Sequence, residues 1–439
     1  MNIFKLIARN RTANNAAWLI GAHCLQSLLS FFINMLTVRY LGPSNYGVVN
    51  YAASLTSFLT PVMNLGITSI LVQELVQHRD SEGEILGTSF VLTLCSSVLC
   101  MISMVAFSMV ANPGDRLTVI ACAIYSLILP LYALREIVCW YQSHLLSKIS
   151  SIVGIVAYVV VSAYKIFLLT TGKSVLWFAV SNSLDVLIIS AALHVIYRRR
   201  GGQRFSFSAQ TAHRLFSRGK YYIIPNLMVA IFAQTDRIML KSMMSSEAVG
   251  YYSAAVACAM ITNFIFSALI DSFRPVIFSD KKAGRSKYLD DLRLLYGLVI
   301  FLSLGQSLFM TVFAKWIVRI IYGAAYAPTV SALQIVVWFT TFSYLGAVRN
   351  IWILAEEKQK HLLAINLSGA AANVVLNALL IPRYGILGAS AASLATQFFT
   401  NIVVGWLIPA LRPNNQLMLS ALNPVRLLKT MTGYRDEKD

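Results

Sequence analysis

Twelve apolar runs dominate this chain, and they restrict its possible folds more than any other feature. They fall at roughly 16–38, 47–73, 85–110, 117–141, 150–170, 175–197, 221–244, 249–278, 295–321, 329–354, 361–381 and 386–410. About 20 apolar residues suffice to cross a bilayer as a helix. In hydrocarbon a helix is also the form in which one segment satisfies its own backbone polar groups. The pattern therefore predicts an all-α polytopic membrane protein with twelve transmembrane helices. Composition agrees, with 57% hydrophobic and only 12% charged residues, against about 25% charged in soluble domains.

The net charge of +18 is unevenly distributed. With the N-terminus inside, 24 of the 36 Lys and Arg fall in cytoplasmic segments, and only Arg116, Lys173 and Arg383 fall in external loops. This positive-inside bias predicts that both termini are cytoplasmic. Arg198, Arg199 and Arg200, with Arg204, Arg214, Arg218 and Lys220, read as a basic loop at the membrane surface. Nothing aromatic or fold-like accompanies them, so no nucleic-acid partner is expected. The first apolar run is too long for a signal peptide, and no small-residue cleavage site follows it. Cys24, Cys95, Cys100, Cys122, Cys139 and Cys258 lie at irregular spacing within the spans and read as apolar fillers, without a metal or cofactor role.

The loop at 198–220 is the longest polar break and divides the spans six and six. Across it runs a weak repeat: Gly47 to Ser54 (GVVNYAAS) aligns with Gly250 to Ala257 (GYYSAAVA) at an offset of 203. At the same offset Asn34 faces Arg237 and Val38 faces Lys241. An even number of spans per half makes the repeat parallel, related by an axis along the membrane normal. The expected organisation is a six-helix bundle at 1–197, a basic cytoplasmic loop at 198–220, a second bundle at 221–411 and a cytoplasmic tail at 412–439, with a central cleft between pseudo-symmetric bundles. A monomer is the default. External connections are short (41–45, 245–248, 382–385), which disfavours a membrane glycosyltransferase or polymerase with its reacting groups in a long external loop. No Walker loop, H-E-x-x-H or G-x-S-x-G motif is present, so no enzymatic activity is expected.

Three motifs carry a family resemblance. Residues 39–47 read RYLGPSNYG; residues 236–240 and 249–255 read DRIML and VGYYSAA; residues 384–391 read YGILGASA. These resemble, in order, the first-turn signature, the seventh-to-eighth helix pattern and the last-helix start of the Wzx-type polysaccharide flippases. That family belongs to the multidrug/oligosaccharidyl-lipid/polysaccharide exporter superfamily. The resemblance implies a bacterial cytoplasmic-membrane protein that flips an undecaprenyl-pyrophosphate-linked oligosaccharide outward. The unit then passes to a polysaccharide polymerase for O-antigen, capsule or a related glycan. Relatives of other kinds are disfavoured. Lipid II flippases typically have two more helices and an Arg-Asp pair in the first. Drug and cation antiporters often have a carboxylate there, whereas helix 1 here has His23, Gln26 and Asn34.

Charges within the spans are the candidate site, because each costs about 2.5–3.5 kcal/mol at mid-bilayer on insertion scales. Asp185 is the deepest; it reads either as a tether to Lys165 or as a proton or cation site. Arg237 lies about 24 Å along helix 7 at 1.5 Å per residue. Its neighbour Asp236 points about 100° away and is the second ion-coupling candidate. Arg135 and Glu136, Asp271 and Arg274, and Arg349 lie toward the cytoplasmic side. Asp271 and Arg274 are spaced to neutralise each other. Arg39, Lys165, Lys315 and Arg319 lie toward the outer side, within snorkelling reach of the interface. Arg39, Arg135, Lys165, Arg237, Arg274 and Arg349 together form an expected cationic path for a pyrophosphate, whose oxygens an arginine meets bidentately. Pro61 and Pro130 predict kinks within spans. The leucine-rich stretch 416–431 predicts an interfacial helix.

Overall fold

The computed structural model describes residues 11–283 and 285–423, and every regular element among them is helical. The His23 side chain and the tail beyond residue 423, which holds part of the expected interfacial helix, lie outside the described residues. Among the described residues nine helices are each long and apolar enough to cross a membrane, and two bent pairs raise the number to eleven. The limb before Gly42 carries the run expected as the first span.

Two expected spans form one continuous element, α1 (Arg11–Met63), with a kink at Gly42 (φ 68°, ψ 173°). That backbone conformation favours glycine, and Pro43 then starts the second limb at a position where no N–H needs a partner. The breaks inside other spans have identifiable causes. Pro61 removes a donor and crowds the turn before it; the helix ends two residues later, and α2 (Thr68–Gln77) leaves at 41°. The span expected at 117–141 is three pieces: α4 (Arg116–Ser126), α5 (Ile128–Arg135) and α6 (Ile137–Ser143). Pro130 lies in the first turn of α5, where a proline is tolerated, and the ladder before it tightens to a bond from Leu127 N–H to Ile124 C=O. Between α2 and α4 runs α3 (Glu82–Ala111), and α7 (Ser147–Thr170) and α8 (Val175–Arg199) follow.

The next helix, α9 (Ala209–Met243), begins about three turns earlier than the hydropathy predicts. Ser208 caps it by accepting from Thr211 N–H. Charge on its first turns is absorbed by Glu74, described below. The remaining elements are α10 (Ser246–Ala259), α11 (Asn263–Ala283), α12 (Arg285–Ile321), α13 (Thr329–Ala355), α14 (Lys360–Tyr384), α15 (Ile386–Phe398), a π-helical segment (Phe399–Val403), α16 (Val404–Leu407) and α17 (Arg412–Ser420).

The helices gather into two compact units, residues 1–250 and 251–439. In the first, α1 packs against α4, α7 and α9. Its main apolar core joins Ile67, Leu71, Leu75, Trp140, Tyr197 and Leu215, with Trp140 set edge-on to Tyr141 and Tyr197. In the second, α12 and α13 pack along each other, and Phe266 stacks on Tyr344 at 4.0 Å. Large side chains such as Leu99, Val110, Leu308 and Trp316 remain exposed, as lipid-facing groups are.

One contact in the first unit ties the repeat to geometry. A Cβ on Gly47 would lie 1.7 Å from the Ser246 carbonyl oxygen, and a Cβ on Gly250 would lie 1.9 Å from the Pro43 carbonyl oxygen. Ser246 and Gly250 are Pro43 and Gly47 displaced by the same 203 residues. The two turns therefore meet reciprocally, each placing a glycine on the other's backbone. Gly47→Ala and Gly250→Ala are each expected to cost about 1–3 kcal/mol through overpacking against a backbone that cannot yield. The double variant should cost less than the sum, because one added methyl already parts the turns. Thermal unfolding of the two single variants and the double variant in detergent checks this; strict additivity would refute the reciprocal contact.

Candidate functional site

In the first unit, Arg237 on α9 is half-buried, with Nη1 donating to Gln234 Oε1 at 3.1 Å. Its charge acts on the Tyr46 hydroxyl, which also bonds the side chains of Asn34 and Asn50. Asn34 is the position that the repeat sets opposite Arg237. Asp236 is 6% exposed on the next helical position and does not share that face. Arg39 lies exposed near the end of the first limb of α1.

Three more of the expected residues gather around α5, α7 and α8. Asp185 sits in the fields of Arg135 and Lys165, and Tyr132 stands in the fields of Arg135 and Asp185. No ion pair within 4 Å joins these residues, so Asp185 is not directly tethered to Lys165. In the second unit, Arg274 pairs with Asp271 at 3.1 Å, as their spacing allows. Arg349 is 4% exposed, and Nη1 donates to the Thr400 carbonyl oxygen at 2.8 Å. Its Nε has no hydrogen-bond partner. Thr400 belongs to the π-helical segment, whose wider turn frees carbonyl groups from the ladder. Asn415 serves the same segment by donating to the Ile402 carbonyl oxygen. Among the described residues no cluster of three His, Cys, Asp or Glu side chains is arranged to hold a metal.

Two carboxylates stand out that the sequence does not single out as sites. Glu136 is 6% exposed, and its two oxygens accept from Ser89 Oγ and from Thr93 Oγ1, the latter at 2.7 Å. The sequence sets it beside Arg135, yet the two are adjacent in the chain and face apart: Arg135 is exposed. A usable signal is the spacing of Ser89, Thr93 and Ser97, which puts hydroxyls on one face of an otherwise apolar helix.

Glu74 is fully buried and takes Arg218 and Arg214, with His78 at 3.5 Å. The segment before these arginines is strapped across the start of α3. Gln203 accepts from Gly83 N–H, Ser206 N–H donates to the Gly83 carbonyl, and Thr211 Oγ1 donates to Glu84 at 2.5 Å. Two cations of the basic loop, Arg214 and Arg218, are thus paired with a buried carboxylate of the protein itself. Removing both arginines seals an unpaired carboxylate from water. Removing the carboxylate leaves two guanidiniums that water can still reach. Arg214→Ala with Arg218→Ala should therefore lose about 1–3 kcal/mol, allowing for screening at these partly exposed arginines, and Glu74→Gln should lose less. Melting temperature and tryptic cleavage at Arg198–Arg204 read the difference; equal losses would contradict it.

At the expected outer end, Lys241 Nζ donates to Asp115 at 2.7 Å and to Ser246 Oγ at 2.6 Å, and Asp115 caps α4 through Thr118. Burial raises the Asp115 carboxyl, but the Lys241 ammonium and the Thr118 donors outweigh it and hold the group below the ordinary aspartate value. A depressed folded value stabilises the fold above the unfolded value and loses that contribution as pH falls through the folded one. Asp115→Asn should lower the melting temperature slightly at pH 7, by at most about 1 kcal/mol for a pair this exposed. That deficit should fade as the pH falls through the depressed folded value. A deficit independent of pH would assign Asp115 a purely capping role.

The sequence pattern of a family described as "Polysaccharide biosynthesis protein" matches residues 12–279, more than half of the chain. A "Putative O-antigen transporter" of Shigella flexneri is 20% identical over 414 residues, covering 90% of this chain and 96% of its own. The fold is similar to that of the lipid II flippase MurJ in an inward closed conformation, with TM-score 0.74, 13% identity, and coverage of 95% of this chain and 92% of that one. It is also similar to an inward-facing multidrug resistance MATE family transporter of the MOP superfamily, with TM-score 0.65, 13% identity, and coverage of 90% and 96%. These relatives are transporters and flippases, in agreement with the expectation of a non-enzymatic protein.

Proposed function

Because the chain belongs to the polysaccharide biosynthesis protein family, we propose that it flips an undecaprenyl-pyrophosphate-linked oligosaccharide from the inner to the outer leaflet of a bacterial cytoplasmic membrane. At the coarser level it is a multi-pass membrane protein with the fold of lipid and drug transporters. The observation that carries the finer reading is the set of cations held at several depths within apolar helices. Arg237 lies beside neutral Gln234 and Tyr46, Arg135 and Lys165 surround Asp185, and Arg349 is deeply buried with one carbonyl partner. Charges in hydrocarbon are costly and mark pathways or pairs, and a pyrophosphate is the anion that such a set suits.

In this reading Arg237 meets the pyrophosphate directly, and Arg39, Arg135, Lys165, Arg274 and Arg349 contribute along the path. The lipid tail trails in the bilayer while the head group crosses. Asp185 and Asp236 are the candidates for coupling the cycle to an ion gradient. Alternating access separates loading from release, with the termini on the cytoplasmic side and a polysaccharide polymerase taking up the product. The runner-up, an ion-coupled small-molecule antiporter, has the same fold.

Deletion in the native host separates the two readings. Flipping requires that surface glycan be lost and that lipid-linked precursor accumulate; an antiporter predicts neither. In proteoliposomes with a labelled lipid-linked sugar, Arg237→Ala should lower flipping at least tenfold, about 1.4 kcal/mol of lost interaction. Arg237→Lys should restore it only partly, since a point charge cannot reproduce a bidentate fork. A wild-type rate for Arg237→Ala at equal protein would remove that residue from the site.

A further inference from the structure

The buried carboxylate of Glu136 has no part in the phosphate chemistry above, and its surroundings give it a different one. It sits at the second break of the interrupted span, between α5 and α6. There the ladder tightens: Glu136 N–H bonds to the Ala133 carbonyl at 3.3 Å, and Cys139 N–H bonds to the Glu136 carbonyl at 2.9 Å. The side chain turns away from the exposed Arg135 and into the packing between α5, α6 and α3. Ser89 and Thr93, one helical turn apart on α3, each give a hydroxyl to one of its oxygens.

Several charged groups on the elements packed against it are engaged elsewhere. On α3, Glu84 accepts from Thr211, and Glu82 accepts from Trp140 Nε1 at 2.7 Å and lies 3.3 Å from His144. Glu74 on α2 is held by Arg214 and Arg218. Lys165 on α7 acts on Asp185 of α8, as does Arg135. The α8 histidine, His194, is bonded to the Ser190 carbonyl, and Arg198 lies over the Phe205 ring. Among the described residues the side-chain partners of Glu136 are the hydroxyls of Ser89 and Thr93, and no cation forms an ion pair with it. The Cys139 thiol on α6 lies in the field of Glu136.

A carboxylate so buried, with two neutral donors and no cation, is costly as an anion. It must take up a positive charge when its surroundings close. A sodium ion needs several oxygens arranged around a gap. Here both hydroxyls bond the carboxyl oxygens directly and leave no such gap. We propose that Glu136, with Ser89 and Thr93, forms a proton-binding site within the first unit and carries the proton that drives the transport cycle. On protonation the carboxyl becomes a donor to one of the two hydroxyls. That hydroxyl turns its own hydrogen to a carbonyl one turn back in α3, as helical Ser and Thr do. The break at Glu136 lets the carboxyl be carried between a closed and a hydrated setting without disturbing an intact helix. The transport role rests on the flippase reading; the proton site does not.

Infrared difference spectra of the purified protein, recorded across a pH titration, test the site without any substrate. The wild type should show a protonated-carboxyl band that Glu136→Gln removes, and Glu136→Asp should move its midpoint. A band that survives Glu136→Gln, or a midpoint unchanged in Glu136→Asp, overturns the site. Proteoliposomes loaded with a labelled lipid-linked sugar test the role. The ratio of flipping with and without an imposed pH gradient should exceed one in the wild type and fall to one in Glu136→Gln. The same ratio in both proteins, or a wild-type response to a sodium gradient in place of the pH gradient, overturns proton carriage by Glu136. If the wild type flips no sugar at all, the flippase reading fails while the infrared result still judges the site.

Discussion

Backbone hydrogen bonding inside hydrocarbon is the constraint on which this structure depends. A helix that never breaks meets it without help, but this chain breaks repeatedly: after Pro61, before Pro130, between α10 and α11, and at the π-helical segment of the last span. Every break releases polar groups where no water is at hand, and each unmet group costs several kcal/mol. The protein meets that cost with side chains. Arg349 and Asn415 serve two carbonyls of the π-helical segment, Ser96 donates to the Val62 carbonyl beside the break after Pro61, and Gln306 donates to the Ala259 carbonyl at the end of α10. At these breaks a polar partner stands beside the interruption.

The same logic sorts the charges. Carboxylates near the expected cytoplasmic side are spent on structure: Glu74 gathers two arginines, Glu82 holds Trp140 and His144, and Glu356 takes Lys281. Asp115 does the same at the other end with Lys241. These pairs fix loops and helix ends, where water screens part of each charge. Asp185, Glu136 and Arg349 are different, because each lies in a span without an ion-pair partner within 4 Å. A group of that kind remains only if the fold compensates by packing or if the protein gains a function from it.

Much of the fold is legible in the sequence because hydropathy, turn residues and charge bias act locally. Twelve runs, the Gly42-Pro43 turn and the proline kinks can all be read from neighbours in the chain. The 203-residue offset is legible too, through Gly47 and Gly250, although sequence alone cannot reveal that each glycine rests on the other turn's backbone. The site is legible only as a set of candidates. Depth along a helix says nothing of direction around it once the helix breaks, so the sequence groups adjacent Arg135 and Glu136 although one is exposed and the other sealed. Hydropathy places the start of α9 too late for a related reason. Its first turns are polar, and no local pattern anticipates that a buried Glu74 makes Arg214 and Arg218 acceptable in a helix.

Reciprocal turns and unequal charges together describe a scaffold whose symmetry serves asymmetric chemistry. The backbone at Pro43–Gly47 and at Ser246–Gly250 obeys one offset, yet the side chains a few turns away do not. Asn34 stands where the other half has Arg237, and Val38 where it has Lys241. A perfectly symmetric pair of bundles would offer an anion the same environment in both. Placing the guanidinium on one copy and a neutral amide on the other, with Tyr46 coupled to both, gives the charge a single side to lean on. In the proposed function that asymmetry would give the pyrophosphate a direction. The glycines at the contact answer to steric necessity, while the polar residues a few turns away differ between the two copies.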